Sequence, residues 1–298
     1  MDFRQIEAYV KVIELASFSK AAEAIFLSQP SVSTYVGALE KELGAVLINR
    51  STKEVSPTPA GKIFYENAKE LLSLKHNTAE RIKNLSGNFS GEIDILASTV
   101  PAQYILPELL ARFGKMYPNI CFNVKQAGTG EIYRGIVAQK AEIGFSGGVD
   151  GGDRCEFYEF MTEKLVFIAP QGGFLDAKDY DLEELLYGYP FIAREKGSGT
   201  RAQYENFFVE RGVDISKINI RAGFDNTQSI INAVANGMGI SVVSEFAADV
   251  FMRHNMVTAV KLKTPLPERK FYYMLKRNFV QSHLVGLFAE FLGGKRCR

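Results

Sequence analysis

Two short stretches carry side chains whose types and spacing could do chemistry. The first is "SQPSVST", residues 28–34, which sets Gln29, Ser31, Ser33 and Thr34 around a proline. A glutamine amide can make paired hydrogen bonds to adenine, and Ser or Thr hydroxyls can serve base edges or phosphates. Small polar groups on the first turn of a helix are therefore suited to reading duplex DNA. The plainer roles are a solvated helix face for Ser31 and Ser33, and a cap for Ser28. The second stretch is "EKGSGTRA", residues 195–202, a glycine-rich turn after an apolar run. Unpaired N–H groups at a helix start, the helix dipole and the hydroxyls of Ser198 and Thr200, with Gly199 between them, would converge there on an anion. Lys196 and Arg201 add positive charge nearby.

Three further turns follow strand-like runs. They are "ASTVP" with Ser98 and Thr99, "AGTG" with Thr129, and "FSGG" with Ser146. In an open α/β sheet the loops at the carboxyl ends of strands gather round a ligand. Each of these residues could instead cap a helix or finish a turn. In "GFDNT" the acid Asp225 would repel an anion, and it reads as a helix cap.

Other chemistries are poorly supplied. The chain has three His and three Cys, and Cys121, Cys155 and Cys297 are scattered without a C-x-x-C pair, so neither a zinc site nor a disulfide framework is expected. No G-x-S-x-G elbow is present, and His76, His254 and His283 have no evident nucleophile partner. Gly197, Gly199 and Ala202 do fit G-x-G-x-x-A, with Asp225 available as the acid of a dinucleotide site. That motif normally opens the first βαβ unit of its domain, however, and here it lies mid-chain. No enzyme activity and no cofactor are expected. A solute-binding protein of two lobes is a further alternative, which the N-terminal pattern argues against.

Charge gives no hint of a polyanion partner. The net charge is +1, and residues 1–57 hold six Lys and Arg against seven Asp and Glu. Any case for DNA must rest on the placement of groups. The longest apolar runs have strand length, which excludes a membrane span, and the start of the chain lacks a basic-then-apolar signal region. A cytoplasmic protein is expected.

The elements that must position these residues can be read from periodicity. Phe3, Ile6, Tyr9, Val10, Ile13 and Leu15 predict a helix over residues 2–16. Ser19 is a plausible cap for a short helix through Ala21, Ala22 and Ile25. Ser28 caps a third helix, with Pro30 in its first turn and Gly44 at its end. The close, alanine-rich approach of the second and third helices predicts a helix-turn-helix, and the short runs around Ser51 and Thr52 predict a wing hairpin. From Thr58 and Pro59 a long helix should run to about Ser86, with Phe64, Ala68, Leu71, Ile82 and Leu85 as a coiled-coil-like seam. Beyond it, strands alternate with helices, which predicts an α/β region with mainly parallel sheets.

The stretch "SFSKAAEAIFLSQPSVSTYVGALEKELGAVLINR", followed by "PTPAG", resembles the N-terminal module of the LysR-type transcriptional regulators, and the resemblance extends over essentially the whole chain. It implies a winged helix-turn-helix over residues 1–58 and a dimerising linker helix over 59–88. It further implies a two-lobed effector domain, like a periplasmic binding protein, over 92–298. The lobes would take residues 92–162 with 267–298, and residues 163–266. Gln29, Ser31, Ser33, Thr34, the wing residue Arg50 and Thr58 would contact promoter DNA. A small-molecule effector, an inorganic oxyanion or a small carboxylate, would lie among Ser98, Thr99, Thr129, Ser146, Ser198, Gly199 and Thr200. Val100 and Pro101 stand where sulfate-sensing relatives are expected to be polar, which points away from sulfate itself. The resemblance implies a homodimer or homotetramer that affects RNA polymerase access, and no membrane partner.

Overall fold

The computed structural model describes residues 1–50, 55–83, 89–149, 152–172, 175, 178–293 and 295–296. The side chain of Arg50, the wing residues Ser51 and Thr52, the expected helix end at Ser86 and Gly87, Leu85 and Cys297 lie outside the described residues. The chain divides into two compact units, Met1–Gly87 and Asn88–Arg298.

In the first unit, caps set the helix boundaries. Asp2 accepts from Gln5 N at 2.9 Å while Gln5 Oε1 accepts from Asp2 N, a capping box that starts α1 (Phe3–Leu15). Ser17, not Ser19, caps α2 (Phe18–Ala24). Its backbone is extended and its hydroxyl accepts from Lys20 N at 3.3 Å, whereas Ser19 is already inside the helix. Ser28 caps α3 (Gln29–Leu43), which ends at Gly44 in the left-handed conformation, φ 63°. Ala21 and Ala22 are buried, so α2 can pack closely against Tyr9 and Val10 of α1 and Val32 and Val36 of α3 in one core.

The strands β1 (Ile48–Arg50) and β2 (Val55–Pro57) pair antiparallel beside these helices. Thr58 then starts α4 (Pro59–Lys83). Its hydroxyl accepts from Gly61 N at 3.0 Å and donates to Val46 O at 2.7 Å. Apolar positions on α4 divide between two tasks. Phe64, Ala68 and Leu72 join the core of the unit, which removes Phe64 and Ala68 from the expected seam, while Ile63, Leu71, Leu74 and Ile82 are exposed.

The second unit has two lobes. In the first, β3 (Ser90–Ala97) lies parallel to β4 (Asn119–Gln126) and β5 (Ile143–Ser146). A π-helical turn, Pro101–Ile105, leads into α5 (Leu106–Met116), and α6 (Thr129–Val137) follows β4. The long strand β6 (Cys155–Pro170) then leaves this lobe for the other. There follow α7 (Leu182–Gly188), β7 (Phe191–Arg194), α8 (Gly199–Glu210), β8 (Ile220–Phe224), α9 (Thr227–Ala235), β9 (Ser241–Ser244), α10 (Glu245–Arg253) and β10 (Val257–Val260). Strand β11 (Glu268–Lys276) brings the chain back, and α11 (His283–Leu292) closes the first lobe.

The sheets are mixed rather than mainly parallel. Of the described pairs, β3–β4, β3–β5 and β7–β8 are parallel, while β6 runs antiparallel to β9, β10 and β11. The reason is the double crossing: outgoing β6 and returning β11 point in opposite directions and pair with each other, from Glu268 opposite Lys164 to Lys276 opposite Cys155. Among the described residues no helix is long and apolar enough to cross a membrane.

Candidate effector cleft and nucleic-acid interface

The start of α3 is a small polar platform. Gln29 and Thr34 are exposed, and Ser31 and Ser33 are half-buried. The Ser28 hydroxyl accepts from Ser31 N at 3.3 Å and lies 2.8 Å from the Ser31 hydroxyl, so the cap also orients Ser31. Thr34 donates its hydroxyl proton to Pro30 O at 2.9 Å, which leaves its oxygen as an acceptor. Thr58 uses its hydroxyl twice within its own unit, as donor and as acceptor. In the turn between α2 and α3, Phe26 is 95% exposed with φ 55°.

The second platform is a cavity of about 670 Å³ in the second unit. Ser98, Thr99 and Thr129 line it from the first lobe, and Ser198, Gly199 and Thr200 line it from the second. The β-strand ends bring them there. Ser98 is tied to the end of β5 by its N–H to Phe145 O at 2.8 Å, and Gly128 O accepts from Glu131 N and Ile132 N to begin α6. Neither Gly128 nor Ser198 makes a side-chain cap, so the first N–H groups of α6 and α8 are left to the cavity or to water. Ser146 is not part of this wall: it is buried and donates to Gly148 O at 2.7 Å.

The charges near the cavity are not those that the sequence singled out. Lys196 does not line it, and Arg201 is directed to Glu205 and to Arg194 O, each at 2.7 Å. Arg194 and Arg269 do line it. Arg194 uses four of its five N–H groups, donating to Thr227 Oγ1 at 2.8 Å, Asp225 O at 3.0 Å and both carboxylate oxygens of Glu195. Asp225 thus contributes its carbonyl to Arg194. The cap of α9 is its neighbour Asn226, whose oxygen accepts from Ser229 N at 2.7 Å.

Arg269 is 5% exposed and sits where the lobes join. Its Nε pairs with Glu163, its Nη1 donates to Thr200 Oγ1 at 2.9 Å, and its guanidinium lies 4.6 Å from the Phe271 ring centroid. Nη2 is buried without a hydrogen-bond partner among the described residues. The Glu163 side chain is fully buried and also accepts from the Ser244 hydroxyl and the Phe246 N–H. Burial pushes the Glu163 carboxyl up and the Arg269 guanidinium down, and each charge opposes the shift in the other. Because Thr200 Oγ1 accepts from Arg269, its own proton must be given to another acceptor. Gln203 adds a contact across the lobes, donating to Gly147 O at 3.4 Å.

The sequence reading missed Arg194, Arg269, Glu163 and Gln203. The available signal was a charge inside a strand-like run: Glu163 precedes "KLVFIAP" and Arg269 precedes "KFYYML". Among the described residues no group of His, Cys, Asp and Glu could hold a metal ion.

Comparison with known proteins adds an independent observation. The family model described as "Bacterial regulatory helix-turn-helix protein, lysR family" matches residues 3–62, and that described as "LysR substrate binding domain" matches residues 86–296. The chain is 31% identical over 275 residues to the HTH-type transcriptional regulator CysL of Bacillus subtilis, covering 92% of this chain and 91% of that one. Full-length OxyR from Pseudomonas aeruginosa has the same fold, with a TM-score of 0.74 at 20% identity over 98% of this chain and 94% of that one. The regulatory domain of Synechocystis CcmR, solved in complex with 2-PG, aligns with a TM-score of 0.62 at 25% identity, over 68% of this chain and 96% of that one.

Proposed function

This chain belongs to the LysR family of bacterial helix-turn-helix regulatory proteins, and we propose that a small anion, held between the lobes of its second unit, controls how it acts on promoter DNA. It is a transcriptional regulator with a ligand-binding domain, which removes the dinucleotide enzyme and the hydrolase from consideration. In this reading Gln29, Ser31, Ser33 and Thr34 on α3 read base edges, while Arg50 and Thr58 act at the flanking backbone. Ser98, Thr99, Thr129, Ser198, Gly199 and Thr200 receive the ligand, and Ser146 supports the Gly147–Gly148 turn from behind.

The observation that carries the reading is the joint wall of the cavity. Helix starts without side-chain caps and hydroxyls from both lobes line one space, and Thr200 has a proton to give. Such groups favour a ligand rich in acceptors, and the CcmR domain, similar in fold, was solved with a small molecule, 2-PG. A ligand that touches both lobes shifts their arrangement by no more than its difference in affinity for the two states. As a homodimer or homotetramer, joined in part through the exposed apolar residues of α4, the protein would pass that shift to paired DNA-reading heads and so to RNA polymerase.

The test uses the full-length chain. A duplex is enriched from a random-sequence library by the wild-type protein. Its affinity is then measured with Gln29→Ala/Ser31→Ala, and with Thr200→Ala in the presence and absence of small carboxylates and oxyanions. The α3 double variant should lose site-specific binding. Thr200→Ala should keep DNA binding and lose the response to the ligand. Unchanged specific affinity in the double variant would sink the α3 assignment.

A further inference from the structure

We propose that Glu163 sets the charge that the cleft accepts: by neutralising Arg269 it fits the cavity to an organic molecule with a single carboxylate and turns away sulfate and phosphate dianions. This narrows the ligand-controlled reading above and rests on it.

The charge balance at the wall is the first argument. Among the described residues that line the cavity, Arg134, Arg194 and Arg269 carry positive charge and Glu131 and Glu195 carry negative charge. Glu163, paired with Arg269 from behind, is the third carboxylate, so these six side chains sum to zero. What remains positive is the pair of helix starts at α6 and α8. A helix N-terminus carries roughly half an elementary charge, so two of them supply about one. That complements a monoanion. A dianion entering the same space would leave about one negative charge that the wall does not compensate.

Donor geometry and space agree. Four of the five N–H groups of Arg194 are already engaged and one, on Nη1, remains, so this guanidinium cannot grip an oxyanion through two donors. Arg269 gives Nε to Glu163 and one Nη1 proton to Thr200, so its remaining donors lie on the Nη1–Nη2 edge alone. The cavity volume of about 670 Å³ falls within the range of pockets that enclose whole organic ligands, roughly 300–1,000 Å³. An inorganic oxyanion would leave most of it to water. Ser98, Thr99 and Thr129 on the opposite wall offer hydroxyls that suit a hydroxylated carbon frame.

A merely structural role for Glu163 does not account for its cost. A buried ion pair is weak evidence for stability, because desolvation consumes much of the attraction. The carboxylate is nevertheless held by three donors, from Arg269, Ser244 and Phe246, belonging to the returning strand β11 and the start of α10. It is thus oriented as a fixed countercharge, placed behind the guanidinium that donates to Thr200.

The experiment titrates the full-length protein with sodium sulfate and sodium phosphate at constant ionic strength, by calorimetry, at pH 8, where phosphate is mainly the dianion. Wild type should show no saturable binding of sulfate or phosphate. Glu163→Gln should gain it, at least tenfold tighter than any residual wild-type binding, and Glu163→Gln/Arg269→Gln should lose the gain. A purely structural Glu163 would lower stability without changing which anion binds. The proposal is overturned if wild type binds sulfate or phosphate saturably and loses that binding in Thr200→Ala. It is equally overturned if folded Glu163→Gln is as indifferent to both anions as wild type. Should Glu163→Gln fail to fold, the wild-type and Thr200→Ala titrations still decide. The broader reading fails separately, where a ligand bound in the cleft leaves affinity for the enriched duplex unchanged.

Discussion

Replacing Gly61 by alanine should disable the N-terminal unit through a single methyl group. A Cβ at this position would stand 2.0 Å from the Leu47 carbonyl oxygen and 2.8 Å from the Tyr9 hydroxyl. Neither neighbour is free to yield. Leu47 O accepts from Thr58 N at 2.9 Å, which anchors the start of α4, and the buried Tyr9 phenol donates to Gly61 O at 2.8 Å. Displacing both hydrogen bonds costs about 1 kcal/mol each, and overpacking adds about 1–3 kcal/mol, so the loss should be about 3–5 kcal/mol. For a unit of this size each kcal/mol moves the midpoint by about 4–8 °C, so the N-terminal transition should fall by at least about 12 °C. Thermal unfolding of the full-length chain, with hydrogen exchange on peptides from α1 and α3, reads the effect in that unit. Gly37→Ala is the control. A Cβ there meets nothing within 4 Å, and alanine inside α3 should stabilise by about 0.5–1 kcal/mol. A Gly61→Ala variant within about 1 kcal/mol of wild type would refute the reasoning, because it would mean that α4 can shift its start freely.

Three further outcomes are expected. Phe26 occupies a left-handed position beyond α2 while its neighbours Ile25 and Leu27 pack on the core, so Phe26→Asn should raise the midpoint, by roughly 0.5–1 kcal/mol in stability. A lower midpoint would show that the phenyl ring contributes to the fold. Ser28→Ala should cost about 1 kcal/mol through the lost cap, measured by urea unfolding, and no change would remove Ser28 as the organiser of Ser31. Iodoacetamide at pH 8 should alkylate exposed Cys121 and spare Cys155 in the native protein. Burial pushes the Cys155 thiol up to about 11, which leaves only about a thousandth of it as thiolate. Mass spectrometry of tryptic peptides decides, and equal labelling of both residues would contradict the burial of Cys155.

The N-terminal unit was legible because its determinants are local. Ser28, Pro30 and Gly44 mark the ends of α3 within the range of their own side chains, and the apolar spacing of α1 states which face is buried. Errors arose where two candidates compete within one turn. Ser17 and Ser19 both precede the Ala21–Ala22 pair, and Asp225 and Asn226 both precede α9. The choice depends on which backbone is extended, a property that composition does not carry. The seam on α4 was ambiguous for a different reason. A long amphipathic helix has two apolar flanks, and the spacing alone does not say that Phe64, Ala68 and Leu72 face their own core.

The cleft divides in the same way. Its hydroxyls and glycines follow strands, so Ser98, Thr129 and Thr200 could be nominated from short motifs, and the fold brings them to one cavity from its two sides. Its charges could not be so nominated. Glu163 and Arg269 are over a hundred residues apart, Thr200 and Ser244 lie between them in the chain, and each pairing depends on how β6 and β11 cross. The crossing has a mechanical consequence. Arg269 stands on the strand that returns to the first lobe, its hydrogen-bond partner Thr200 starts a helix of the second, and Glu163 joins Arg269 to the cap of α10. A movement of one lobe against the other must therefore change the acceptors around Arg269. If the cleft selects anions by charge as proposed, the same four side chains link that selection to the lobe arrangement, so a substitution that alters which anion binds should also alter the response of DNA binding to it.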